Sequence, residues 1–241
     1  MALRSSASIV ASHASASKPS DPPVPKVVVI GEMGVGKTDW LTTAIHSKEQ
    51  DSRSGPMLLD HITVPTIAFD LLPTTRRLVD NKTMRINFVD TAGQERFAVL
   101  VKSNYRDAAA FVLMYDVTDA GSFIAIKERW YPEAFSYYED MRIKPIWFLI
   151  GTKTDLHSQR QVTFEEARDY AATIDAFLFE TNTREGKGAR ARVTVDLIAA
   201  TMHRNGVPCD SERAVAVYKN DRVSLRGSST DARLKKSKCG C

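Results

Sequence analysis

A glycine-rich loop set directly between a strand and a helix is the feature that most constrains how this chain folds. Residues 31–38 read GEMGVGKT, which matches the pattern GxxxxGK followed by Ser or Thr. The β-branched run KVVVI at 26–30 predicts a buried strand before the loop, and a helix is predicted after it over 38–47. Glycines allow backbone N–H groups to wrap phosphates, and the N-terminus of the helix adds a favourable dipole. The arrangement predicts an α/β fold that binds phosphate groups.

Individual residues of this loop have separate predicted roles. Gly34, Val35 and Gly36 present backbone groups to the phosphates. Lys37 reaches the outer phosphates, and the hydroxyl of Thr38 binds Mg²⁺. The flanking strand and helix make this match much more specific than the bare pattern would be.

A second motif, DTAGQERF at 90–97, follows an apolar run at 84–89. Asp90 ends that predicted strand, which is where metal and phosphate chemistry is placed in such sheets. Gly93 lets the backbone approach a terminal phosphate, and the amide of Gln94 can orient an attacking water. Gln94 is therefore the predicted catalytic residue of a nucleotide-hydrolysing site.

The second motif resembles the second switch of small GTPases, and its Glu-Arg-Phe extension is most similar to Rab proteins. NYRDA at 104–108 and LMYDVT at 113–118 are also similar to Rab segments, and the resemblance covers 26–203 and the last three residues. It implies a P-loop NTPase small-GTPase domain, with a six-stranded, mostly parallel sheet and helices on both faces. It also implies GTP and GDP as substrate and product. Mg²⁺ would be held by Thr38, by Thr66 and, through a water, by Asp90.

Two further loops resemble the base-recognition motifs of this family. GTKTD at 151–155 is similar to the guanine-reading motif NKxD, in which the carboxylate, here Asp155, accepts two hydrogen bonds that adenine cannot donate. Lys153 can lay its stem along the base. Thr152 replaces the usual asparagine, as in Rho-type GTPases, and this is expected to weaken the tether to the phosphate loop. In ETNTR at 180–184, the backbone N–H groups at Thr183 and Arg184 would contact the guanine oxygen.

Other positions depart from the Rab pattern. Thr66, which would bind Mg²⁺ only when a terminal phosphate is present, precedes Ala68, where the family has glycine. Thr66 lies 28 residues after Thr38, a longer spacing than is usual, and the aromatic residue that packs on guanine has no clear counterpart, Leu59 being the nearest. Met33 stands where Ras-like proteins have glycine. Its flexible thioether either crowds the space beside the terminal phosphate or points outward, and both interpretations stay open.

The chain divides into three predicted parts. Residues 1–25 are a disordered Ser/Ala/Pro-rich extension, 26–203 form the domain, and 204–241 are a flexible basic tail. The patterns predict strands at 26–30, 68–79, 84–89, 109–115, 145–150 and 177–179, with the second and third antiparallel. Helices are predicted at 38–47, 122–140, 163–174 and 187–203. The cysteines, Cys209, Cys239 and Cys241, all fall outside the predicted domain, which fits a reducing compartment.

The positive charge of the chain is concentrated in the tail. The 241 residues carry a net charge of +4, and residues 204–241 contain nine Lys or Arg against four Asp or Glu, a balance of +5. The other residues carry 24 basic and 25 acidic groups and are nearly neutral. A nucleic-acid-binding domain would carry a basic face on its fold, so no nucleic acid is expected as a partner. A short basic tail suits the anionic surface of a membrane instead.

The tail closes with KKSKCGC, and Rab proteins commonly end in Cys-x-Cys. The resemblance implies that Cys239 and Cys241 both receive geranylgeranyl groups, since the segment is not a C-a-a-X end. Two prenyl chains anchor firmly, whereas one binds only marginally. The implied location is the cytoplasmic face of an intracellular membrane, with cycling through the cytosol.

These expectations imply a Rab-like, membrane-anchored GTP switch that hydrolyses GTP slowly and regulates vesicle trafficking. The family implies an exchange factor, a GTPase-activating protein, effectors, a prenyl escort protein and a GDP-dissociation inhibitor as partners. One alternative, a GTPase fold that binds nucleotide and a partner without hydrolysis, is motivated by Met33, Ala68 and the long first switch. A Rho-like GTPase rests on Thr152 alone, and the missing C-a-a-X end speaks against it.

Overall fold

Six strands alternate with helices along the chain. A computed structural model of the protein describes residues 23–46, 69–91, 103–138, 144–184 and 188–210. The strands are β1 (Lys26–Ile30), β2 (Phe69–Arg77), β3 (Thr83–Thr91), β4 (Ala108–Asp116), β5 (Ile146–Thr152) and β6 (Ala176–Glu180). The helices are α1 (Lys37–His46), α2 (Ala120–Ala125), α3 (Tyr131–Ser136), α4 (Phe164–Thr173) and α5 (Ala189–Arg204). A π-helical turn (Ile126–Trp130) joins α2 to α3, and a 3₁₀ turn covers His157–Gln159.

The six strands form one sheet in the order β2-β3-β1-β4-β5-β6. β2 and β3 pair antiparallel, and every other neighbouring pair is parallel. The predicted six-stranded, mostly parallel sheet is therefore confirmed, including its antiparallel pair. Because the remaining strands run the same way, the carboxyl ends of β1, β3, β4, β5 and β6 lie along one edge of the sheet.

Both faces of the sheet are buried, as the alternation along β1 demonstrates. Val27 and Val29 face one hydrophobic core together with Trp40 of α1 and the buried side of α5. Val28 and Ile30 face the other core, which α2, α3 and α4 complete. A strand that is covered on both faces reads as a continuous apolar run, which is why KVVVI shows no polar alternation.

The helix predicted over 122–140 is present but is not regular. It starts after Asp119, whose carboxylate caps it by accepting from the backbone N–H of Gly121 at 2.9 Å. The segment Ile126–Trp130 is π-helical before the α-helix resumes. A π turn accommodates an extra residue and so rotates the following side chains around the helix axis. Arg129 and Trp130 both reach the phosphate loop from this turn.

Packing continues beyond the predicted end of the domain at residue 203. α5 runs to Arg204, and Cys209 is fully buried in the core that α1 and α5 share. Asp210 also pairs with Arg85 of β3 at 3.2 Å. The prediction that every cysteine lies outside the folded part is therefore wrong for Cys209. A thiol behaves as a small hydrophobic group, and this one fills space beside α5 where the chain turns back after the helix.

Candidate nucleotide-binding site

The predicted site residues converge at the carboxyl edge of the sheet. The phosphate loop begins where β1 ends, Asp90 lies at the end of β3, and Asp116 and Thr152 are the last residues of β4 and β5. Open α/β sheets bind their ligands outside this edge. The fold therefore places the motifs at 31–38, 90–91 and 151–155 around one common site.

The phosphate loop adopts a backbone conformation that depends on its glycines. Gly34 and Gly36 have φ angles of 82° and 95°, which residues with a side chain rarely adopt. Apart from each glycine's two neighbours in the chain, no heavy atom of the described residues lies within 4 Å of the position a Cβ would take at Gly34 or Gly36, so the space beside the loop is open. The Trp40 N–H donates to the Gly36 carbonyl at 2.9 Å, and α1 thus starts directly from the loop. This geometry suits an anion at the helix N-terminus.

Lys37 is buried and is held inside the same loop. Its ammonium group donates to the carbonyl oxygens of Gly31 at 2.9 Å and Glu32 at 2.8 Å. Burial lowers the pKa of Lys37 to about 8, and the negative charges of Asp90 and Glu32 oppose that shift. An anion bound at the loop would favour the charged form of this lysine.

A hydroxyl and a carboxylate, both hard oxygen ligands for a metal ion, meet next to Lys37. Thr38 Oγ1 donates to Asp90 Oδ2 at 2.5 Å, which joins the start of α1 to the end of β3. Mg²⁺ prefers oxygen ligands and takes few of them from the protein, because it keeps waters and binds phosphate oxygens. The hydroxyl and carboxylate present here fit that ion. The third predicted metal ligand, Thr66, lies outside the described residues, as do Gly93 and Gln94.

A pocket of about 80 Å³ opens between the phosphate loop and the loops that follow β5 and β6. It brings together seven residues that the sequence predicts to bind nucleotide: Val35, Gly36, Thr152, Lys153, Asp155, Thr183 and Arg184. Five further lining residues were not predicted: Asp39, Trp40, Leu156, Thr181 and Asn182. Asp39, Trp40 and Leu156 directly follow a motif, and Thr181 and Asn182 lie within the motif at 180–184, so a position in or next to a motif was the signal that could have found them.

The hydroxyl of Thr152 connects the far wall of this pocket to the phosphate loop. Thr152 Oγ1 lies 2.7 Å from the Val35 carbonyl oxygen and 3.0 Å from that of Tyr115, and its single proton is shared between the two acceptors. Thr152 is 5% exposed, so water competes little for these contacts. A weaker tether was predicted from the loss of asparagine, and the hydroxyl nevertheless makes the direct contact with the loop.

A carboxylate at the end of β4 orients Lys153. Its ammonium nitrogen lies 2.6 Å from Asp116 Oδ2, while Asp116 Oδ1 accepts from the backbone N–H and hydroxyl of Thr118 at 2.8 and 2.7 Å. Lys153 has a φ of 58°, which is uncommon for a residue other than glycine and is typical of functional sites. Because Asp116 holds the ammonium group, the aliphatic stem of Lys153 remains on the pocket wall.

The sequence patterns also assign no role to two acidic residues, Glu32 within the phosphate loop and Asp39 directly after it. Glu32 accepts from Trp130 Nε1 at 2.9 Å and from Arg129 Nη1 at 3.4 Å. Asp39 accepts a hydrogen bond from the hydroxyl of Thr183. Neither acidic position is specified by the glycine-rich pattern, and their partners come from distant parts of the chain.

A glycine-rich loop on the first strand of a mostly parallel sheet, with a hydroxyl and a carboxylate beside its lysine, defines a P-loop nucleotide-binding domain of the small-GTPase type. The family model for the Ras family matches residues 26–198 of this chain. Ras-related protein Rab-1C of Dictyostelium discoideum is 33% identical over 173 residues, which are 72% of this chain and 79% of that protein. The chain therefore belongs to the Ras family and is a Rab-like small GTPase of the Ras superfamily. It is accordingly a small GTP-binding regulatory protein, and the family generally uses GTP, GDP and Mg²⁺.

Proposed function

We propose that this protein is a membrane-attached switch that binds GTP with Mg²⁺, hydrolyses it slowly and regulates intracellular vesicle trafficking. The observation that carries the proposal is the meeting of Lys37, Thr38 and Asp90 beside a pocket that contains Asp155. Groups suited to bind phosphate and a metal ion thereby lie next to a pocket that contains a group suited to bind the base.

The phosphate end of the site has three tasks. Lys37 neutralises charge on the outer phosphates, while Gly34, Val35 and Gly36 offer backbone groups to them. Thr38 binds the metal ion directly and Asp90 binds it through a water. When bound, Mg²⁺ supplies further neutralisation of the charge that develops during phosphoryl transfer.

The base end of the site selects guanine. Asp155 accepts two hydrogen bonds from the N–H edge of the base, and the stem of Lys153 packs along it. The backbone at Thr183 and Arg184 contacts the guanine oxygen. Thr152 fixes the loop that carries Asp155 relative to the phosphate loop, through its hydrogen bond to the Val35 carbonyl.

Hydrolysis and switching involve residues outside the described ranges. Gln94 orients the attacking water, and an arginine from an activating protein completes the site. Thr66 and the Gly93 N–H sense the terminal phosphate, so both switches are ordered in one nucleotide state and released in the other. Effectors bind one state, while an exchange factor and a GTPase-activating protein drive the cycle between the two.

Membrane attachment is assigned to Cys239 and Cys241 through geranylgeranyl groups, delivered with a prenyl escort protein and extracted by a GDP-dissociation inhibitor. The domain covers 26–203 and is extended by the packing of Cys209, with 1–25 before it and the basic tail after it in the sequence. It acts from the cytoplasmic face of an intracellular membrane and cycles with the cytosol. In the part of the chain that the structure describes, no helix is long and apolar enough to span a membrane. Replacing both cysteines by serine should move the protein from the membrane to the soluble fraction of cells, and unchanged fractionation would refute this assignment.

The hydrolysis step is tested by a single-turnover assay on protein preloaded with GTP, with and without the catalytic domain of an activating protein. Slow conversion to GDP that the activator accelerates is expected. Retention of GTP under both conditions would instead favour a non-hydrolysing binding module, which the departures at Met33 and Ala68 motivate. Lys37→Ala and Thr38→Asn should abolish tight GTP binding in a displacement titration, and unchanged affinity would contradict the phosphate site itself.

A further inference from the structure

Asp39 occupies a position from which it can act on both ends of the pocket. It lies in the first turn of α1, directly after Thr38, and it lines the same pocket as Lys153 and Asp155. Thr183 also lines this pocket, in the loop that follows β6. Neither the glycine-rich motif nor the family resemblance assigns a role to either side chain.

The two side chains are joined by a hydrogen bond. The hydroxyl of Thr183 donates to Asp39 Oδ2 across 144 residues of sequence. A hydrogen bond to an ionised carboxylate is about twice as strong as one between neutral groups. The bond therefore connects the helix that starts at the phosphate loop to the loop expected to contact the base.

Other contacts hold that loop from a different direction. The Thr181 N–H donates to the Gly151 carbonyl at 2.8 Å, the Thr154 N–H donates to the Thr181 carbonyl at 3.4 Å, and Asn182 Nδ2 donates to Thr154 Oγ1 at 3.3 Å. The first contact ties the loop to the end of β5, and the other two tie it to Thr154, just after that strand. The Thr183 contact ties it to α1 instead, and both of its partners line the pocket.

We propose that the hydrogen bond between Thr183 and Asp39 is a clasp across the nucleotide pocket that slows release of guanine nucleotide and holds the β6–α5 loop against the base. This inference rests on the proposed function. The hydroxyl belongs to the same residue whose backbone N–H would contact the guanine oxygen, so the clasp fixes that N–H relative to α1. Asp39 and Thr183 are positioning residues here, because they act through the loop.

The carboxylate of Asp39 has a second, opposite effect. A negative charge in the first turn of a helix is stabilised by the helix dipole, but bound phosphates use the same field and are repelled by the charge. Removing Asp39 therefore removes both the clasp and a repulsion. The hydroxyl of Thr183 carries no charge, so substitutions at Thr183 report on the clasp alone.

The test uses full-length protein loaded with a fluorescent GDP, with release followed after an excess of unlabelled GDP is added. Thr183→Val keeps the shape of the side chain and removes the donor, and release should be about tenfold faster, the scale of one hydrogen bond to a charged group. Thr183→Ser restores the donor and should release GDP within about twofold of the original protein. Thr183→Ala provides a second donor-free variant if Thr183→Val does not fold.

A purely structural role would not change base selectivity, so affinities for GDP and ADP are measured on the same variants. The ratio of GDP to ADP affinity should fall in Thr183→Val and recover in Thr183→Ser. Asp39→Ala is then introduced into the original protein and into the Thr183→Val variant. The factor by which Asp39→Ala speeds GDP release should be about tenfold larger in the original protein, because only the original protein still has the clasp to lose.

Unchanged release and selectivity in Thr183→Val, or additive effects of the two substitutions, would overturn the clasp. These results differ from a failure of the proposed function, in which the original protein itself would not bind GDP tightly.

Discussion

The indole nitrogen of Trp130 donates a 2.9 Å hydrogen bond to the carboxylate of Glu32, across 98 residues of sequence. Arg129 approaches the same carboxylate oxygen at 3.4 Å. Glu32 in turn offers its backbone carbonyl to the buried ammonium group of Lys37 at 2.8 Å. The π-helical turn is thereby connected to the lysine that is expected to hold the outer phosphates, and a π turn at such a place is typical of functional sites.

Trp130→Phe is expected to destabilise the protein by about 1–2 kcal/mol. Phenylalanine keeps an aromatic ring at this buried position but cannot donate to Glu32. The loss should lie near the lower end of the range for a charged acceptor, because Glu32 is partly exposed and keeps Arg129. Urea unfolding followed by circular dichroism measures the free energy.

The smaller ring also loses packing volume, which a double-mutant cycle separates from the hydrogen bond. In a Glu32→Ala background, Trp130→Phe should cost measurably less, because only the ring volume is then lost. An equal cost in both backgrounds would show that the indole N–H contributes nothing through Glu32.

The stability of the nucleotide-free protein is expected to rise between about pH 8 and pH 10.5 through Lys37. Burial lowers the pKa of this lysine from 10.5 to about 8, so in this window the unfolded chain binds the proton and the folded protein does not. Stability rises with pH wherever the unfolded state binds more protons. Below about pH 8 the full penalty applies, and the gap between the two pKa values corresponds to about 3 kcal/mol.

Lys37→Met isolates this contribution. The difference in unfolding free energy between the two nucleotide-free proteins should be largest near pH 7 and shrink towards pH 10.5. The comparison also cancels the contribution of the buried Tyr105 and Tyr115 to the pH dependence of stability, because both proteins contain them. Their raised pKa values lower stability at high pH, the opposite of the effect of Lys37. A difference that stays constant from pH 7 to pH 10.5 would show that Lys37 titrates alike in both states.

Much of the fold was predictable because it depends on local signals. The apolar run at 26–30 and the glycine-rich loop after it are contiguous, and Asp80 and Asn81 mark the turn between β2 and β3, where Asn81 adopts a φ of 60°. Because β1, β3 and β5 run in the same direction, Lys37, Asp90 and Thr152 must share one edge of the sheet. The grouping of these site residues thus follows from patterns that a single sequence displays.

The contacts that hold the site together could not be predicted, because each one joins residues that are far apart in sequence. Thr183 and Asp39 are separated by 144 residues, and nothing near either one marks the other. The contact between Trp130 and Glu32 also depends on a π turn, which a period of 3.6 residues does not reveal. Cys209 is buried because of where the chain returns after α5, and that depends on tertiary packing.

Thr152→Val is expected to release GDP about fivefold faster, the equivalent of one neutral hydrogen bond near 1 kcal/mol. Valine has the shape of threonine but cannot donate to the Val35 carbonyl at 2.7 Å, and it leaves that carbonyl and the one of Tyr115 without the shared proton. Thr152→Asn, the residue of the family pattern, has two amide hydrogens and should release GDP no faster than the original protein. Equal release rates in all three proteins, measured with fluorescent GDP, would exclude Thr152 as a tether.

Met33→Gly is expected to speed hydrolysis of bound GTP. Met33 precedes Gly34 in the phosphate loop and is 62% exposed, so its removal costs little packing. A glycine would open the space beside the terminal phosphate, where the proposed site needs room for water, Gln94 and an activator's arginine. The single-turnover rate should rise by about tenfold, which corresponds to ~1.4 kcal/mol of barrier. Met33→Leu keeps the bulk and should keep the slow rate, whereas equal rates in all three proteins would mean that the thioether points away from the phosphate.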